Sequence, residues 1–137
     1  MTDSAKTTRW KQRFQNLEKA FTRLQEGLAI PQPNEVEKQG IIQSFEFTFE
    51  LAWKTMQDLL LERGYVGTVG PRPVIEQAFK DGIILDGETW MKMLMARNLT
   101  VHSYNEKTAE EIASKIRAAY FPLLSTFLEK LRTIKDS

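Results

Sequence analysis

From Trp10 onward the apolar positions of the chain recur at helical spacing. Trp10, Phe14, Leu17, Phe21, Leu24 and Leu28 step by four and three, with Lys11, Arg13, Glu18, Lys19 and Arg23 off that line. Such a stripe predicts an amphipathic helix packed on a core. Pro31 and Pro33 end it, since proline lacks an N–H and restricts the residue before it. Asn34 suits the N-cap of a second helix that reaches about Arg63. Ile41, Ile42, Phe45, Phe49, Ala52, Trp53, Met56, Leu59 and Leu60 form its expected core face. Phe47, Leu51 and Leu61 stand on the opposite arc, among Glu46, Glu50, Lys54 and Asp58. A helix apolar on two sides is covered on two sides. The expectation is a homodimer packed partly through Phe47 and Leu51.

Gly64 is expected to close the second helix. Gly67, Gly70, Pro71 and Pro73 make a turn-rich loop. Gly67-Thr68-Val69-Gly70 lacks both the Lys-Ser/Thr ending of a phosphate-binding loop and a strand before it. Val74, Ile75, Ala78 and Phe79 mark a short third helix, with proline in its first turn and a stop at Asp81-Gly82. Asp86 caps a fourth, whose apolar side is Trp90, Met91, Leu94 and Met95. Leu99-Thr100-Val101 is stiff at χ1 and weakens that helix. Thr108-Ala109-Glu110-Glu111 has the form of a capping box, so His102 to Lys107 are expected to be a connector. Ile112, Ile116, Ala119, Tyr120, Leu123, Phe127, Leu131 and Ile134 form the last stripe, kinked at Pro122. The sum is an all-α bundle of about five helices. It occupies one domain, residues 9–135, after a polar segment, residues 1–8, expected to be a flexible tail.

The 137 residues suffice for one core without staples. There is no cysteine, which removes disulfides, thiolate metal sites and cysteine nucleophiles. The formal net charge of +1 gives no overall pull toward nucleic acid, so any RNA contact must be local or built by assembly. No apolar run approaches the ~20 residues of a membrane span, and the polar start does not resemble a signal peptide. The expected location is cytoplasmic.

The chemistry concentrates at residues 95–105. His102 is the only histidine, with Arg97 five residues before it and Tyr104 two after. On a continuous helix Arg97 and His102 lie roughly 140° apart. They converge only if the helix ends between them or a second chain brings its own copy. Asn98, four residues before His102, shares its face. Arginine offers a permanent cation and a planar fork suited to phosphate. Histidine moves protons near neutral pH. Together they suggest phosphodiester chemistry without a metal. The plainer alternative is a capping histidine and a solvated arginine. Glu50 and Lys54 form an ordinary i,i+4 pair, and Glu46 with Glu50 has no second histidine nearby to complete a metal site. No metal or cofactor is expected.

Three blocks carry a resemblance. They are Phe45-Glu46-Phe47-Thr48-Phe49-Glu50-Leu51-Ala52-Trp53-Lys54, then Pro71-Arg72-Pro73-Val74-Ile75-Glu76-Gln77-Ala78-Phe79, then Trp90 through Glu106 with Arg97-Asn98 and His102-Ser103-Tyr104 inside it. The chain resembles the nucleotidyltransferase substrate-binding protein family of the HEPN superfamily. It is similar to the HepT toxins of HepT–MntA toxin–antitoxin pairs. The resemblance implies an antiparallel bundle that dimerises and a small MntA-like nucleotidyltransferase as partner. The motif Arg-X4-His-X-Tyr matches at Arg97, His102 and Tyr104. In HEPN ribonucleases the Arg and His pairs of two subunits line one cleft, and in HepT-like toxins the Tyr receives AMP from the partner. One implied function is a metal-independent endoribonuclease, with Arg97, His102 and Asn98 at its site, restrained by AMP transfer to Tyr104. A second is a non-catalytic subunit that presents a substrate to the transferase. In a third, Arg97 and His102 only fasten the helix end.

Overall fold

The computed structural model describes residues 2–102 and 105–137, with side chains from Arg9 to Val101 and from Asn105 onward. The elements are α1 (Thr2–Leu28), α2 (Glu35–Glu62), α3 (Pro71–Lys80), α4 (Gly87–His102), α5 (Glu106–Lys115), a π-helical segment (Ile116–Tyr120) and α6 (Phe121–Asp136). No strand occurs among the described residues. Helical backbone at Lys115 and Phe121 joins α5, the π segment and α6 into one rod, so the bundle has five rods.

α1 and α2 form an antiparallel hairpin, the largest helix pair of the fold. Arg13, early in α1, lies 3.4 Å from Asp58, late in α2. Gly27, at the far end of α1, sits against Ile41 near the start of α2. Burial pushes the Asp58 carboxyl above its ordinary range, and Arg13 offsets part of that shift. A raised carboxyl favours the fold most below the ordinary carboxylate range, and that benefit is lost as pH rises through the folded value. α6 returns antiparallel to α1, with Arg132 on Glu18 at 3.2 Å and Phe121 stacked on Phe21 at 4.7 Å.

The expected core face of α2 is buried throughout, and Trp10, Phe14, Leu17 and Leu24 of α1 are buried against it. The aromatic centre links four elements. Phe45 stacks on Tyr120 at 5.6 Å, Phe49 meets Trp90 at 6.1 Å, and Trp90 meets Phe127 edge-on at 5.3 Å. Asn34 caps α2 in a full capping box with Glu37. Gly64, at φ 97°, closes it in the left-handed region, with bonds from Gly64 and Tyr65 N–H back to Leu61 and Leu60. Asp86 accepts from the Thr89 N–H at 3.0 Å and caps α4 as expected.

Three boundaries differ from the sequence reading. α1 already starts at Thr2, so residues 2–8 continue the helix where a tail was expected. α4 runs unbroken through Leu99-Thr100-Val101, the stretch expected to weaken it, and takes in His102, where the connector was expected to begin. Thr100 is only 8% exposed, and its hydroxyl is held by Glu46 and by the Arg97 carbonyl. That tertiary anchor outweighs the weak propensity of the stretch. α5 begins at Glu106 under an Asn105 cap, three residues before the expected Thr108. Before Pro122, where a kink was expected, the chain forms a π segment, in which Phe121 N–H bonds to Ile116 O. Proline has no N–H for the carbonyl four residues back and crowds it, so the turn before it widens.

Candidate functional site

The site lies where α4 crosses α2. Glu46 and Glu50, one turn apart on α2, face Thr100 and Arg97 of α4. The Thr100 hydroxyl donates to Glu46 Oε2 at 2.6 Å, with the Arg97 carbonyl as a second acceptor at 3.1 Å. Arg97 Nη1 stands 3.3 Å from Glu50 Oε2. Its guanidinium carbon is 5.8 Å from the Phe49 ring centroid. Arg97 Nε is buried and has no hydrogen-bond partner among the described residues. Glu50 also reaches Lys54 through its other oxygen, at 3.6 Å.

The Arg97 side chain is 21% exposed, so the guanidinium is held at the surface between a carboxylate and an aromatic face. A partly exposed ion pair contributes little stability. Its physical consequence is orientation: the fork is fixed, while unengaged donors can meet an anion.

Asn98 is exposed. His102 is the last residue of α4, at a helix end whose dipole favours a cation. The His102 side chain, Ser103 and Tyr104 lie outside the described residues, so the roles read for His102 and Tyr104 rest on their positions in the sequence. The unbroken α4 places Arg97 and His102 roughly 140° apart around one helix. The helix does not end between them, which leaves a second chain as the route to convergence. On α2, Phe47 is 60% exposed, whereas Leu51 is half-buried and packs against the core. Among the described residues no group of three or more His, Asp or Glu is placed to hold a metal. No helix among them is long and apolar enough to cross a membrane.

The pairing of Glu46 with Thr100 and of Glu50 with Arg97 was not anticipated from sequence. The available signal was two carboxylates one turn apart on the margin of an otherwise apolar arc.

Comparison with known proteins agrees with this architecture. The model of the family described as nucleotidyltransferase substrate binding protein like matches residues 12–133. A curated relative, the probable ribonuclease HepT of Haemophilus influenzae, is 33% identical over 98 residues, which are 68% of this chain and 66% of that protein. The match thus spans about two thirds of that relative's length. A crystal structure of a Thermus thermophilus protein superposes with a TM-score of 0.73 at 32% identity, covering 88% of this chain and 99% of that one. A Haemophilus influenzae structure, described as revealing the fold of a substrate binding domain of a nucleotidyltransferase, gives 0.67 at 26% identity, covering 92% and 98%. Since the family match takes in all five helical rods, this chain belongs to the nucleotidyltransferase substrate binding protein like family.

Proposed function

We propose that the chain is a HepT-like, metal-independent endoribonuclease, the cytoplasmic toxin of a pair, whose partner is an MntA-like nucleotidyltransferase. The observation that carries the reading is the unbroken α4. It presents an oriented Arg97 on one side and the His102 position roughly 140° around. One chain therefore offers half a site, and a homodimer supplies both halves.

Cleavage of RNA without a metal needs a base for the 2′-hydroxyl proton, an acid for the leaving 5′-oxygen and a cation at the phosphorane. The 2′-oxygen bonds to phosphorus, the bond to the 5′-oxygen breaks, and the products end in a 2′,3′-cyclic phosphate and a 5′-hydroxyl. Each chain holds one histidine, so two copies of His102 meet the two proton-transfer roles. Arg97 binds the phosphate, and Asn98 orients His102 or adds a phosphate contact. The exposed Phe47, with Leu51 beside it, is the proposed dimer contact. Phe47→Asp is expected to shift the solution mass from dimer to monomer and to reduce cleavage with it. A dimer that survives the substitution would move the interface elsewhere.

Restraint follows from AMP transfer to Tyr104. The tyrosine oxygen attacks the α-phosphorus of ATP, pyrophosphate leaves, and a negative charge is placed two residues from His102. Intact-mass measurement after incubation with the transferase and ATP is expected to show AMP on the wild-type chain and none on Tyr104→Phe. Transfer that persists in Tyr104→Phe would contradict this assignment.

A second reading is a non-catalytic subunit that presents a substrate to the transferase. The pairing of Arg97 with Glu50 favours it, because the carboxylate already neutralises the cation. Absence of cleavage by a dimer shown by mass to lack AMP would select it.

A further inference from the structure

A groove of about 450 Å³ runs between α4 and α5. It is distinct from the Arg97 side of the fold. Met95 and Leu99 lie on α4 roughly 160° around from Arg97. They form its outer wall and are unusually open for large apolar residues, at 63% and 47% exposure. Ala96 and Ile112, both buried, line the groove as well.

Tyr120 also lines it. This residue is only 4% exposed, and its ring is fixed by stacking on Phe45. Its hydroxyl has no hydrogen-bond partner among the described residues. Burial raises the Tyr120 pKa, which keeps the hydroxyl a neutral donor. Tyr120 closes the π-helical segment, and such single-turn insertions concentrate at functional sites.

Besides Tyr120 and Thr108, the groove is lined by charged residues of both signs. Lys115 has no ion pair among the described residues, and the one ion pair of Lys92 is a 3.7 Å contact with Glu88. Glu111 adds a carboxylate beside them. An apolar wall, the phenol of Tyr120, two ammonium groups and one carboxylate match a ligand with a flat apolar body, an anionic end and hydroxyl or amine donors. The volume lies within the range of small-molecule sites.

We infer that the α4–α5 groove binds a nucleoside monophosphate. The base lies against Leu99 and Ile112 and accepts a hydrogen bond from the Tyr120 hydroxyl. The phosphate meets Lys92 and Lys115, and Glu111 accepts from a ribose hydroxyl or a base amine. This site uses neither Arg97 nor His102, so it stands or falls separately from the ribonuclease reading.

Calorimetric titration of the full chain with the four ribonucleoside monophosphates tests it, with the free nucleosides and inorganic phosphate as further probes. At least one monophosphate is expected to bind with a Kd below ~1 mM, its nucleoside more weakly, and phosphate alone not measurably. Tyr120→Phe keeps the stacked ring and is expected to weaken binding about 3- to 10-fold, the effect of one lost hydrogen bond, with an unchanged melting temperature. Lys115→Gln is expected to weaken binding and flatten its salt dependence. Arg97→Ala is expected to leave binding unaltered. The inference is overturned if no monophosphate binds below ~1 mM, if inorganic phosphate competes as well as the nucleotide, or if a folded Tyr120→Phe binds as tightly as the wild type.

Discussion

Arg97→Ala and His102→Ala are each expected to abolish most of the proposed RNA cleavage while the protein stays folded. The expected loss is about 10²–10³-fold for Arg97→Ala, the usual consequence of removing one group that stabilises developing charge. It is about 10²–10⁴-fold for His102→Ala, the range for general acid–base groups. Stability changes little at Arg97, because its ion pair with Glu50 is partly solvated and such pairs contribute under about 1 kcal/mol. Arg97→Lys retains the charge but loses the planar fork, so it recovers only part of the activity. Glu50→Gln is expected to leave the guanidinium in place with a weaker anchor, with activity between wild type and Arg97→Ala. Initial rates on a defined oligonucleotide, with melting curves for each variant, separate these outcomes. Wild-type rates in either alanine variant would place the residue outside the chemistry.

Trp90→Ala carries the largest expected effect on stability. Trp90 is 1% exposed and contacts Phe49 of α2 and Phe127 of α6. Its removal opens a cavity at the point where three helices meet. Phe/Trp→Ala substitutions in cores cost about 3–5 kcal/mol, against a total stability of about 5–15 kcal/mol. The midpoint of urea unfolding is expected to fall accordingly with an unchanged slope. Trp90→Phe retains most of the packing and loses much less. A change below about 1 kcal/mol in Trp90→Ala would mean that the site collapses around the void, against the packing described. Trp90 stands seven residues before Arg97 on α4, so the variant also loosens the base on which the site rests.

The hydrophobic pattern made α1 and α2 legible because their stripes are long and regular, and because Asn34 and Gly64 cap through contacts within three to five residues. The misread boundaries depend on distant or competing partners. Thr100 stays helical through Glu46, 54 residues away in sequence. Thr108 has the residues of a capping box, but its N–H is taken by Asn105 Oδ1 at 2.9 Å, so the helix starts earlier. At the site, the types and spacing of Arg97 and His102 were visible in the sequence. The partners of Arg97 were not, because Glu50 and Phe49 meet it only once α4 crosses α2. Phe47 illustrates the reverse case. Its position on the arc of α2 opposite the core face predicted a residue outside the core, and at 60% exposure it is one.

The central claim, metal-free transesterification by an unmodified dimer, is tested most directly by the ends of the product. Chain confirmed by mass to lack AMP is incubated with a defined RNA oligonucleotide in excess chelator, and the fragments are analysed by mass. The account predicts cleavage that leaves a 2′,3′-cyclic phosphate and a 5′-hydroxyl. Cleavage that leaves a 3′-hydroxyl, or no cleavage at all, would contradict it.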